Sequence, residues 1–93
     1  MKLTYRRYQN THFSMSASHW SQSLRSRTLD CIDNASVNPL DGMLHFKCTD
    51  GRYASMSLND VLAREMRLTV KDQGEGLAFD SPEALIDAGW VVD

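Results

Sequence analysis

Residues 44–57 read LHFKCTDGRYASMS, and this stretch decides the fold because it contains two alternating segments around one turn. A two-residue loop at positions 50–51 would set the apolar face of the first segment against the serines of the second. A three-residue loop at positions 49–51 instead pairs Cys48 with Arg52. It then puts one apolar set on a single side of the hairpin: Leu44, Phe46, Cys48, Ala54 and Met56. We therefore predict an antiparallel hairpin in this second register, with Gly51 in the left-handed conformation of a bulged turn.

Upstream of the hairpin, residues 2–8 alternate between two faces and are rich in tyrosine and threonine, which predicts a strand suited to a sheet edge. Residues 16–32 place one stripe at steps of three and four: Ala17, Trp20, Leu24, Thr28 and Cys31. This spacing predicts a helix capped by Ser16 or Ser18. Asparagine, proline, aspartate and glycine between positions 34 and 42 predict a loop.

Downstream of the hairpin, Ser57 and Asp60 resemble a capping box and predict a short helix. Leu58, Val61 and Leu62 are expected to face inward from it. Residues 68–71 and 77–79 alternate around the glycines at 74 and 76, which predicts a second hairpin. A last short helix is expected after Asp80 or Ser81, with Pro82 in its first turn and Gly89 after its end. A strand of residues 90–92 then closes the chain.

These elements predict an α+β fold: a single small domain over residues 1–93, with a largely antiparallel sheet of about five to six strands. One longer helix and two short helices are expected to pack on one face of this sheet. A chain of 93 residues has room for one core. The predicted core is Leu24, Leu44, Phe46, Met56, Val61, Leu62, Val70, Phe79, Leu85, Ile86 and Trp90.

Charge is distributed unevenly along the chain. Residues 1–29 carry five bases and no acid, whereas residues 72–93 carry six acids and no base, although the whole chain has a net charge of only −2. This polarity has two interpretations. Either the two ends of the chain pair with each other in the fold, or one of them forms an interface with a partner.

The N-terminus has positive charge but no apolar run behind it, and no stretch approaches the roughly 20 apolar residues that a membrane span needs. We therefore expect a cytoplasmic protein that does not bind membranes. In a reducing compartment, Cys31 and Cys48 are expected to be buried thiols and not a disulfide.

Motifs for catalysis, metal binding or cofactor binding are weak in this sequence. His45 and Cys48 are three apart on a predicted strand and so point to opposite faces, which disfavours a shared metal ion. No serine or cysteine has the sequence context of an activated nucleophile. The pair Gly74 and Gly76 lacks the third glycine and the helix start of a phosphate-binding loop. We therefore expect no enzyme activity and no cofactor.

The sequence is best explained as a small non-enzymatic protein-binding or regulatory module that binds a protein partner or self-associates. The predicted partner-binding residues lie in the basic third of the chain: Arg6, Arg7, Tyr8, His19, Gln22 and Arg25. The alternative is a nucleic-acid-binding protein that uses the basic first strand and the first helix, with tyrosines stacking on bases. An estimated pI of 5.8 argues against this alternative. Short chains of this class are frequent in phages and mobile elements, but this association does not rest on any particular residue of the sequence.

Overall fold

The computed structural model describes the backbone of residues 5–8 and the whole of residues 20–93. The elements follow the predicted order, and their bounds are β1 Tyr5–Tyr8, α1 Gln22–Asp33, β2 Met43–Cys48, β3 Tyr53–Ser57, α2 Leu58–Ala63, β4 Met66–Val70, β5 Gly76–Phe79, α3 Pro82–Asp87 and β6 Trp90–Val92. The fold is α+β and forms one small domain. The helices of the described part pack on one face of the sheet.

The six strands form one sheet in the order β1-β5-β4-β3-β2-β6. The five strands from β2 to β6 are joined by antiparallel pairs, and β1 adds to β5 in parallel. β1 therefore lies at a sheet edge, as its sequence predicted. Residues 2–4 of the predicted first strand lie outside the described residues.

The central hairpin has the predicted three-residue register. Phe46 pairs with Ala54, Lys47 pairs with Tyr53, and the Cys48 amide donates to the Arg52 carbonyl at 2.9 Å. Gly51 has a φ of +94°, a conformation that side-chain-bearing residues rarely adopt. The predicted apolar set is buried on one side of the two strands. Hydrophobic alternation and the glycine position were thus sufficient to predict the register.

The first helix begins later than predicted. Residues 16–19 lie outside the described residues, but Trp20 precedes the helix and does not belong to its apolar stripe. Ser21 is the cap, since its hydroxyl accepts a hydrogen bond from the Leu24 amide at 3.1 Å. The Trp20 indole instead donates to the Gly89 carbonyl at 2.8 Å. A serine next to the helix and a distant carbonyl therefore determine where the helix starts.

The first short helix begins at the predicted Ser57, and the second begins at Ser81, one of the two predicted caps. The Ser57 hydroxyl accepts from the Asp60 amide, and the Ser81 hydroxyl accepts from the Ala84 amide at the start of the helix that contains Pro82. In α2, however, only Val61 is buried. Leu58 and Leu62 are exposed, so their predicted inward orientation is wrong, and Leu62 does not belong to the core. Six residues make fewer than two helical turns, so few of them can face the sheet.

The core lies between the sheet and the helices. It contains nine of the predicted residues, namely Leu44, Phe46, Met56, Val61, Val70, Phe79, Leu85, Ile86 and Trp90. Leu24 is partly buried and packs against this core. Both cysteines are free thiols, as predicted. Cys48 is buried as expected, whereas Cys31 is only half-buried.

One buried side-chain hydroxyl links α1 to the last strand. Thr28 is fully buried, and its hydroxyl donates to the Leu24 carbonyl at 2.9 Å and accepts from the Val92 amide at 3.1 Å. Because β6 is an edge strand, this contact satisfies a backbone N–H that no neighbouring strand pairs.

Candidate functional site

Of the six residues predicted from sequence to bind a partner, the five that the structure describes lie in two parts of the molecule. Arg6, Arg7 and Tyr8 are in β1 at the sheet edge. His19 lies outside the described residues. Their role in binding stays a prediction.

The other two predicted residues, Gln22 and Arg25, line a groove of about 170 Å³ between α1 and α3. Arg25 donates from Nη2 to Gln22 Oε1 at 2.7 Å, while its Nε is buried and has no hydrogen-bond acceptor. Leu29 and Ile86 give this groove an apolar component, and Glu83 and Asp87 give it negative charge. Its volume suits a single side chain of a partner and not a larger ligand.

In the fold, basic side chains predominate in the strands and acidic side chains predominate in the helices. The charged residues within the strands are all basic, namely Arg6, Arg7, Lys47 and Arg67. The helices carry a majority of acids, with Asp30, Asp33, Asp60, Glu83 and Asp87 against Arg25 and Arg27. The sheet is therefore the basic layer and the helices are the acidic layer.

A polar network lies on the sheet face that points away from the core. His45 Nε2 is 2.7 Å from Asp41 Oδ2, and His45 Nδ1 is 2.9 Å from Lys71 Nζ. A neutral imidazole protonated on Nε2 satisfies both contacts, because it donates to the carboxylate and accepts from the ammonium. The pKa of Asp41 is lowered by a hydrogen bond from the Met43 amide and by a second one from His45. The carboxylate of Asp41 consequently stays charged to lower pH than an ordinary aspartate.

His45 and Cys48 do not converge on a common site. Cys48 belongs to the buried core face of β2, whereas the His45 ring takes part in the network on the opposite face. Within residues 20–93, no group of three or more histidine, cysteine, aspartate or glutamate side chains is arranged to hold a metal ion. The sequence argument about opposite strand faces agrees with this placement.

A second groove, of about 430 Å³, lies beside the start of β2. Its lining combines apolar side chains, such as Val37, Leu44 and Val92, with the polar ends of Arg27 and His45. Met43 also lines it and is partly exposed. This groove was not predicted, because it also needs β6, which is far in sequence from the consecutive α1, loop and β2 that form its other walls.

Next to this groove, four apolar side chains are exposed at one end of the sheet, and we call them the apolar end: Leu40, Met43, Leu58 and Leu62. Leu40, at the tip of the loop before β2, is 94% exposed, and Leu62 is 64% exposed. Met43 pairs with Ser57, the residue that caps α2, so the strand, the loop and the helix meet here. Leu58 and Leu62, which were expected to face inward, thus belong to an exposed surface.

None of the helices in the described part of the chain has the length and hydrophobicity needed to cross a bilayer. No protein-family model, curated protein sequence or solved structure matches the chain.

Proposed function

We propose that the chain is a non-enzymatic protein-binding or regulatory module that docks through its apolar end, and that the partner it binds there is a second copy of itself. The observation that carries this proposal is the exposure of Leu58 and Leu62. Residues four apart lie on one side of a helix, so the two leucines form a continuous apolar stripe. Adjacent exposed apolar side chains are typical of protein-binding surfaces.

The charges around the apolar end favour contact between identical surfaces. Arg64 at the end of α2 pairs with Asp33 at 2.9 Å, and Arg67 pairs with Asp60 at 2.6 Å. Each of these two bases therefore has an acid beside it, so the two pairs add no net charge beside the leucines. Two copies can meet at such a surface without repulsion between like charges.

A twofold axis beside α2 would bring the leucines of one copy against those of the other, which is the self-complementary contact of most homodimers. Four side chains make a small patch compared with the roughly 800 Å² per partner of a standard interface. The adjoining groove beside Met43 extends the surface. We therefore expect a weak dimer whose population depends on protein concentration.

Replacing Leu62 with Lys tests the proposed interface. The average mass of the parent chain should rise towards that of a dimer as its concentration increases from micromolar to millimolar. Leu62→Lys should stay monomeric, because it buries a charge in each half of the contact. Light scattering or sedimentation equilibrium measures both proteins. Leu62 is largely exposed, so the variant is expected to fold as the parent does.

The matched control is Ala63→Lys, which adds the same charge to an exposed position of the same helix. Ala63 lies about 100° further around the helix axis than Leu62, and its variant should dimerise like the parent. A parent chain that stays monomeric at every concentration would contradict the proposal. Equal loss of dimer in both lysine variants would show that charge alone, and not the leucine stripe, governs association.

The surface predicted from sequence is the alternative docking site for a protein. The double variant Arg6→Ser, Arg7→Ser removes positive charge from β1 and so tests this surface separately from the apolar end. Under the present proposal this double variant keeps the concentration-dependent mass of the parent.

A further inference from the structure

We infer that the exposed face of β2, β3 and β4 binds single-stranded nucleic acid, with Tyr53 stacking on a base and Lys47 and Lys71 contacting phosphates. This surface, which we call the open face, is formed by Lys47, Tyr53, Lys71, His45, Ser55 and Thr69. It shares no residue with the apolar end, although it adjoins Met43 on the same side of β2, and the inference does not depend on self-association. It also differs from the first strand and first helix that the sequence suggested for nucleic-acid binding.

The strand register places these side chains in two rows. Lys47 pairs with Tyr53, and the Lys71 amide donates to the Tyr53 carbonyl at 2.8 Å, so the tyrosine lies between two lysines. His45 pairs with Ser55, which pairs with Thr69 in the next row. Residues paired across strands share a face of the sheet. Both rows lie opposite the buried face that carries Phe46 and Ala54.

An aromatic ring is available at the centre of this face. Tyr53 is 49% exposed although β3 is an interior strand of the sheet. On the β2 side, Lys47 Nζ lies 5.1 Å from the centroid of the Trp20 ring, which positions a second aromatic side chain beside the same lysine. Exposed rings among cations on a sheet are a suitable surface for unstacked bases, since every base has an aromatic face.

The charges favour a polyanion as the occupant. The strands contribute bases and no acid, and three of the nearby acids are already engaged by bases, whereas Asp72 and Asp93 lie at the rim of the face. Asp41 is held by His45, and Arg52 pairs with Asp50 at 2.8 Å and with Glu75 at 3.7 Å.

The extent of the open face limits the size of the ligand. Ala78 and Val91, in the strands that flank it, are buried. The accessible part is therefore three strands wide, or roughly 10 Å between the outer strands. This width suits a few nucleotides of a single strand. We expect affinities in the micromolar range, because few cations are present and Asp72 lies in the turn at the rim.

The test is a titration of fluorescently labelled oligothymidylate with the full chain at low and at high salt. Binding should weaken with salt, with a slope of log K against log salt of roughly −0.7 for each phosphate contact. Tyr53→Ala should weaken binding by about 5- to 150-fold, which corresponds to the loss of one stacked base. Tyr53→Phe keeps the ring and should bind like the parent. Lys71→Gln should reduce the magnitude of the salt slope by about 0.7.

The matched control for charge is Arg27→Gln, which removes one positive charge from the helix layer and should leave binding unchanged. The inference is overturned if no salt-sensitive binding occurs at micromolar protein, or if Tyr53→Ala binds like the parent. It is also overturned if polyglutamate displaces the oligonucleotide as well as unlabelled oligothymidylate does, because the face would then bind acidic polypeptides. Tighter binding of duplex than of single-stranded DNA would likewise contradict a stacking platform.

Discussion

Phe46→Ala is expected to lower the free energy of unfolding by about 3 to 5 kcal/mol. Phe46 is fully buried in β2, where it pairs with Ala54 on one side and with Val92 on the other. Removing the ring loses its transfer free energy and leaves a cavity that strands on both sides prevent from collapsing. The loss is a large part of the about 5 to 15 kcal/mol that stabilises a typical domain. Urea denaturation of the parent and the variant measures it.

The control for this prediction is Tyr53→Ala, which removes an aromatic ring from the opposite, exposed face of the neighbouring strand. It should cost much less than Phe46→Ala, because a half-exposed ring leaves no enclosed cavity. Equal losses of stability in the two variants would contradict the assignment of the two sheet faces. The same control establishes that Tyr53→Ala is folded in binding experiments.

Thr28→Val is expected to destabilise the protein by about 1 to 3 kcal/mol, although it preserves the shape of the side chain. Valine cannot accept a hydrogen bond from the Val92 amide, which would then be buried without a partner. The variant should lose local stability at β6 as well as global stability. Hydrogen exchange at the Val92 amide should become faster in the variant relative to the amides of β3.

Thr28→Ser separates the contribution of the hydroxyl to stability from that of the methyl group. Serine keeps the hydrogen bond and loses one buried methyl, which costs about 0.8 kcal/mol. Exchange at Val92 should therefore stay slow in this variant. If Thr28→Val were as stable as the parent with unchanged exchange at Val92, the hydroxyl would have no part in holding β6 to α1.

The hairpin and the caps could be predicted because their causes are local. Only one register of residues 44–57 puts the apolar side chains on one face, and Gly51 supplies the turn that this register needs. Ser57 and Ser81 cap helices through amides three residues away. Such contacts depend on neighbours in sequence, which a single sequence displays directly.

The features that were missed depend on contacts between distant residues. Trp20 fits a helical stripe by spacing, but its indole bonds to Gly89, 69 positions away. Leu62 fits the inward face of a helix, but α2 is too short and too close to the sheet end to bury it. The network of Asp41, His45 and Lys71 could not be anticipated, because it requires the strand order as well as the strands.

The strand order also explains why the charge pattern was difficult to interpret. Sequence position suggested a basic and an acidic end that either pair or bind partners. In the fold, the basic first strand lies beside β5, within the acidic third of the chain. The polarity is therefore better described as one between basic strands and acidic helices. The open face belongs to the basic strands.

The central claim is that the molecule binds a partner copy through its apolar end, and amide chemical shifts measured at low and at high protein concentration test it most directly. We predict that the shifts which change with concentration cluster at Leu40, Met43, Leu58 and Leu62, and that Leu62→Lys abolishes these changes. Changes that cluster instead at Arg6 and Arg7, or at Gln22 and Arg25, would contradict the claim in favour of the surface that the sequence suggested. Shifts that do not depend on concentration anywhere in the chain would contradict self-association altogether.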